Sequence, residues 1–122
     1  MLAGVPPIAV TFVVGTVAAI CFVVAALGPL APRRRAALAV AGIAVDWIPV
    51  VAGWMIVPGA PSRTLLGAHF GFGVVGYLLL AYCLFGWVRD RERSVRARVA
   101  FVAIWGVAYL AGVLMSVEAL LS

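Results

Sequence analysis

TLLGAHFGFGVVGYLLLAYCLFGWV, residues 64–88, runs without one Asp, Glu, Lys or Arg and holds the only histidine of the chain near one end. A hydrocarbon layer about 30 Å thick is crossed by about 20 apolar residues rising about 1.5 Å each, so this stretch is long enough to span a bilayer by itself. Outward from it, three further blocks of the same kind cover residues 8–30, 36–57 and 98–121. In lipid the backbone N–H and C=O groups must be paired within a segment or around a closed barrel, and the chain is too short for an ordinary barrel. The expected fold is therefore all-α: a four-helix transmembrane bundle with short loops, a single domain over residues 1–122. The segment before the first block has no basic residue, and the block is too long for a signal-peptide core, so it is expected to be retained as a helix.

Composition points the same way. Of 122 residues, 66% are hydrophobic and 11% charged, with a mean hydropathy of +1.22. A water-soluble domain carries far more charge. The net charge of +5 could suggest nucleic acid, but there is no lysine, and eight of the nine arginines fall in two clusters between apolar blocks. That distribution is a topology signal and not a nucleic-acid footprint. Arg33, Arg34 and Arg35 follow the first block; Arg89, Arg91, Arg93, Arg96 and Arg98 follow the third; only Arg63 follows the second. The first and third loops are expected on the cytoplasmic side, with both termini extracytoplasmic. The arginine-only basic set and the abundance of Ala, Val and Gly suggest a bacterial cytoplasmic membrane. Asp90 and Glu92 interrupt the third loop, and Glu92 with Arg96 has the i,i+4 spacing that supports a helix start. The loop reads as a solvated charge run that also meets anionic lipid headgroups.

Helices gain no hydrophobic energy by associating in lipid, so small and hydrogen-bonding residues mark their contact faces. Ala39, Gly42, Asp46, Pro49 and Gly53 form one such stripe in the second block. His69, Gly73, Gly76, Leu80, Cys83 and Trp87 form another in the third, with Gly67 and Gly71 on an adjoining face. Trp105, Tyr109, Gly112 and Ser116 continue the pattern in the fourth, and Thr11, Gly15 and Ala18 in the first. Cys21 and Cys83 lie inside apolar blocks and read as packing residues.

Asp46 stands near mid-membrane, where an aspartate costs about 2.5–3.5 kcal/mol on the insertion scale. Either its carboxyl clamps a neighbouring helix through Tyr77, Tyr109, Thr11 or Thr16, or it is a proton, cation or ligand site. His69 lies toward the outer end of the third block, at the depth of Met55, Met115, Glu118 and Arg63. This group reads as an interfacial polar cap, as a ligand or proton-relay site with Tyr109 and Asp46, or as a heme site. Heme would need an axial partner to His69, such as Met55, Met115 or the histidine of a second copy. No metal-ligand spacing, nucleophile elbow or phosphate loop is present in the sequence, so no catalytic residue is assigned.

Asp46, then His69 with Gly71 and Gly73, then Trp105, Tyr109, Leu110 and Gly112, together resemble the HsmA-type family of small four-span bacterial membrane proteins over residues 36–118. The family pattern places a second histidine where this chain has Cys83, so a two-histidine site is not implied. The resemblance implies a fold and not a reaction. The functional expectation is a binding protein: an accessory subunit of a membrane complex or a small-ligand binder, in contact with the lipid bilayer and with other membrane subunits or its own copies. The alternative is a small oligomeric proton-coupled transporter or channel using Asp46.

Overall fold

The computed structural model describes residues 7–53 and 62–121 and is all-helical there. Its elements are α1 (Pro7–Leu27), α2 (Pro32–Val51), α3 (Arg63–Val88) and α4 (Val95–Leu121). Each helix packs on the next in sequence and α4 returns to α1, so the helices form a ring without a diagonal helix pair.

Three helices are long and apolar enough to cross a membrane: α1 over Ala9–Leu27, α3 and α4. That is compatible with a multi-pass membrane protein. α2 differs because it starts at Pro32 and not at 36, which draws Arg33, Arg34 and Arg35 into its first turns beside Asp46 further along. Pro32 explains the early start. Proline is pre-organised for the first turn, and Ala31 before it is extended.

The other boundaries have local causes too. α1 ends at Leu27 because Pro29 disfavours helix at Gly28; the Gly28 N–H still closes on the Val24 carbonyl at 2.8 Å. α2 ends at Val51, short of 57, and residues 54–57 lie outside the described residues. Gly53, expected on the packing stripe, instead terminates this helix. Its φ is +73°, and a Cβ there would meet nothing within 4 Å, as suits the left-handed residue that follows a helix C-cap. α4 begins at Val95, not at 98, because the Ser94 hydroxyl accepts from the Ala97 N–H at 3.2 Å as an N-cap. Arg96 and Arg98 are thereby helical and not part of the loop.

The core is built around Phe22, which is buried and meets Trp105, Phe101 and Tyr77 edge-on at centroid separations of 5.0, 5.7 and 6.2 Å. Ala18, Ala25, Ala36 and Ala39 let the backbones of α1 and α2 close up around it, while Leu80, Cys83 and Trp87 fill the space from α3. Gly42 and Gly76 sit at close approaches to the core aromatics: a Cβ on Gly42 would lie 2.7 Å from the Phe22 ring, and one on Gly76 would lie 3.0 Å from Trp105.

Candidate functional site

Between α1 and α4 a half-open cavity of about 380 Å³ is walled by apolar side chains. Ile20, Val23 and Val24 form one side, and Phe101, Val102 and Trp105 form the other. Gly106 widens it, since a Cβ there would meet nothing within 4 Å. Thr16 and Tyr109 also line the cavity and are bonded to each other, oxygen to oxygen, at 2.7 Å. Trp105 stacks on the Tyr109 ring at 5.8 Å with an interplanar angle of 13°, which fixes the phenol.

The proton accounting of this pair sets its chemistry. The Thr16 hydroxyl donates its one proton to the Phe12 carbonyl at 2.9 Å. Tyr109 must then be the donor in the Thr16–Tyr109 bond. Both protons are committed, so the pair offers the cavity only lone pairs. Its complement is an apolar molecule bearing a hydrogen-bond donor.

Asp46 is not part of this cavity. Its Oδ2 accepts a hydrogen bond from the Tyr77 hydroxyl, which joins α2 to α3. Of the four candidate partners, Tyr77 engages the carboxyl, while Thr16 and Tyr109 engage each other. Thr11 has an interaction of its own.

His69 stands on α3 against α4, with Nδ1 2.8 Å from the Ala108 carbonyl oxygen. A carbonyl only accepts, so Nδ1 carries the hydrogen and the neutral ring has its lone pair on Nε2. Gly112 makes room for this ring: a Cβ there would lie 3.1 Å from Cε1 and Nδ1. Phe70 packs edge-on at 5.1 Å. His69 lines neither the α1–α4 cavity nor the shallow one on α2. Met115 is buried in α4, while Met55 lies outside the described residues. Glu118 accepts from the Ser62 backbone N–H at 3.4 Å, and among the described residues it makes no ion pair with Arg63 or His69. Gly73 is in ordinary contact with Ala108, whereas Gly71 opens away from the helix pairs. No group of three His, Cys, Asp or Glu side chains able to hold a metal occurs among the described residues.

A fourth feature escapes a sequence reading. Arg35, expected in the first cytoplasmic loop, is 6% exposed, and its Nη1 donates to the Ala25 carbonyl at 2.8 Å. Arg98 Nη1 donates to the adjacent Ala26 carbonyl at 3.1 Å. These carbonyls belong to the last turn of α1, which has no further helical donors. Glu92 ties the two arginines together, 3.3 Å from Arg35 Nε and 3.9 Å from Arg98 Nε. It thus pairs with α2 and α4 and not with Arg96. The signal was available in the register. Arg35 is in phase with Ala39 and Gly42, and Arg98 with Phe101 and Trp105, on the inward stripes.

No protein-family model matches this chain, and no curated protein and no solved structure matches it either.

Proposed function

We propose that this chain is a four-span protein of the bacterial cytoplasmic membrane with both termini outside, and that it works by binding a small apolar molecule carrying one hydroxyl in the α1–α4 cavity. One observation carries the reading: an otherwise apolar cavity holds a single polar pair whose protons are both internally committed. Such a pair favours a donor-bearing ligand over a pure hydrocarbon, because only the donor gains a hydrogen bond to the lone pairs that the pair leaves open. A membrane protein of this kind acts as a ligand-carrying accessory subunit, and the exposed apolar faces of its helices suit lipid or partner subunits.

The topology is supported by the arginine clusters, now joined at one end of the bundle through Arg35, Glu92 and Arg98. α2 crosses in this reading because its charges are accounted for: Arg35 is buried in that end network, Arg33 and Arg34 lie at the same end, and Asp46 is engaged by Tyr77. The Asp46–Tyr77 bond supports a helix clamp over a transport pathway. The His69–Ala108 bond leaves Nε2 available, but the α1–α4 cavity lies elsewhere, so the geometry favours a lipid alcohol over heme.

Gly106→Leu tests the assignment, since it fills the cavity where the structure has space. Native mass spectrometry from gentle detergent should show an apolar hydroxyl-bearing adduct on the wild type and its loss in Gly106→Leu at unchanged helix content. An adduct retained by Gly106→Leu, or no adduct on either protein, would refute it.

A further inference from the structure

The outer face of α3 ends in two arginines that are held and not merely solvated. Cζ of Arg89 lies 4.1 Å from the centroid of the Phe85 ring, and Cζ of Arg93 lies 4.3 Å from that of Tyr82. Arg93 is fixed twice more. Its Nε donates to the Tyr82 carbonyl at 3.2 Å, and it lies in a notch that exists because residue 86 is glycine. A Cβ on Gly86 would come within 2.8 Å of Arg93 Cζ. Tyr82 and Phe85 are three residues apart and so neighbours on one helix face, with Cβ atoms about 5–6 Å apart. The two guanidinium groups therefore stack on neighbouring rings of one helix face. Among the described residues, no hydrogen bond or ion pair engages the guanidinium N–H groups of Arg89 or either Nη of Arg93, and a guanidinium stacked on a ring keeps its N–H edges free for oxyanions.

The face continues along α3 as an exposed apolar stripe. Phe85, Tyr82, Leu78 and Val75 follow one another at spacings of three and four residues and are 57%, 53%, 66% and 44% exposed. Gly71 extends the stripe with open space. A pair of oriented cations at the end of a long apolar strip has the shape of a phospholipid: phosphate at one end, acyl chain along the helix. The acidic groups nearby are Asp90 and Glu92, and Glu92 is already taken up by Arg35 and Arg98.

We infer that Arg89 and Arg93 form a specific site for the phosphate of an anionic phospholipid whose acyl chain lies along Phe85, Tyr82 and Leu78. This is sharper than the general attraction of a basic loop to a membrane, because it assigns the binding to two of the loop arginines and to the aromatic platform beneath them. It rests on the membrane reading above and not on the α1–α4 cavity.

The test uses the full chain in nanodiscs of phosphatidylethanolamine containing either phosphatidylglycerol or phosphatidylcholine, with retained lipid read by native mass spectrometry. The wild type should retain phosphatidylglycerol about thirtyfold more than phosphatidylcholine, from roughly one kcal/mol for each of the two arginines at a membrane surface. Arg89→Ala with Arg93→Ala should abolish that preference, whereas Arg91→Ala with Arg96→Ala removes the same charge and should leave it. Tyr82→Leu with Phe85→Leu keeps every charge and should also lose it, which covers the case of a poorly folded arginine variant. Equal losses from the two arginine pairs would overturn the proposal, as would a preference unchanged in the Tyr82, Phe85 variant. Inorganic phosphate should displace the lipid no better than chloride of equal ionic strength; selective displacement would overturn the lipid assignment. A chain washed from membranes by alkaline carbonate would defeat the membrane reading itself, while a retained chain without phosphatidylglycerol preference would defeat this inference alone.

Discussion

Replacing Gly42 by alanine adds one methyl group where α2 packs directly on the Phe22 ring. The new carbon would lie 2.7 and 2.9 Å from two Phe22 ring atoms and 3.1 Å from the Cys21 Cβ, against about 3.5–4.0 Å for a relaxed carbon contact. The ring is confined, because Phe22 is 1% exposed and is flanked by Trp105, Phe101 and Tyr77, with space only toward the α1–α4 cavity that it helps to line. Overpacking of this kind costs about 1–3 kcal/mol, and the helix preference of Ala over Gly returns at most about 1 kcal/mol. The expected net loss is about 1–2 kcal/mol. Gly15→Ala is the matched control, since a Cβ on Gly15 meets nothing within 4 Å; it should leave stability unchanged or raise it by about 0.5–1 kcal/mol. Unfolding by dodecyl sulfate in mixed micelles, followed by circular dichroism, measures both. If Gly42→Ala is as stable as Gly15→Ala, Phe22 is not the immobile centre described here.

Two further outcomes follow from the polar contacts. Tyr77→Phe should cost about 0.6–1.7 kcal/mol in the same assay, the range of interhelical hydrogen bonds in membrane double-mutant cycles, while Asp46→Asn keeps an acceptor for Tyr77 and should cost less; non-additive losses in Asp46→Ala with Tyr77→Phe would identify the pair as one interaction. Arg35→Ala leaves the Ala25 carbonyl uncapped and removes the closer partner of the half-exposed Glu92, and should cost about 1–3 kcal/mol, the range for a buried acceptor left unsatisfied, whereas Arg33→Ala should be nearly neutral, a contrast that the same unfolding titration reads directly.

The helices were legible because length and hydropathy are enough to mark an apolar helix, and the stripes through Ala39 and Gly42, and through Gly76, Leu80, Cys83 and Trp87, coincide with buried residues. Gly71 and Gly53 show where spacing misleads: a glycine in the right period can face outward or end a helix. Asp46 was conspicuous, but its partner was open among four hydroxyls, since the choice depends on the rotation of α2 against α3. The cavity was not legible, because Thr16 and Tyr109 meet only when the ring closes between α1 and α4. Arg35 and Arg98 were hidden for another reason. A charge next to a loop looks solvated unless its register with the inward stripe is followed to the end of the helix.

α2 is the element on which the proposed topology turns, because its four charges keep it from reading as a span by composition while the proposal has it cross. Labelling of Ser62→Cys and Arg91→Cys on intact cells with a membrane-impermeant maleimide, in a chain whose native cysteines are replaced by alanine, decides the point. Four crossings predict that position 62 is labelled from outside and position 91 is not. Protection of position 62 with labelling of position 91 would put α2 on the inner surface, leave three crossings, and contradict the bundle on which the α1–α4 site depends.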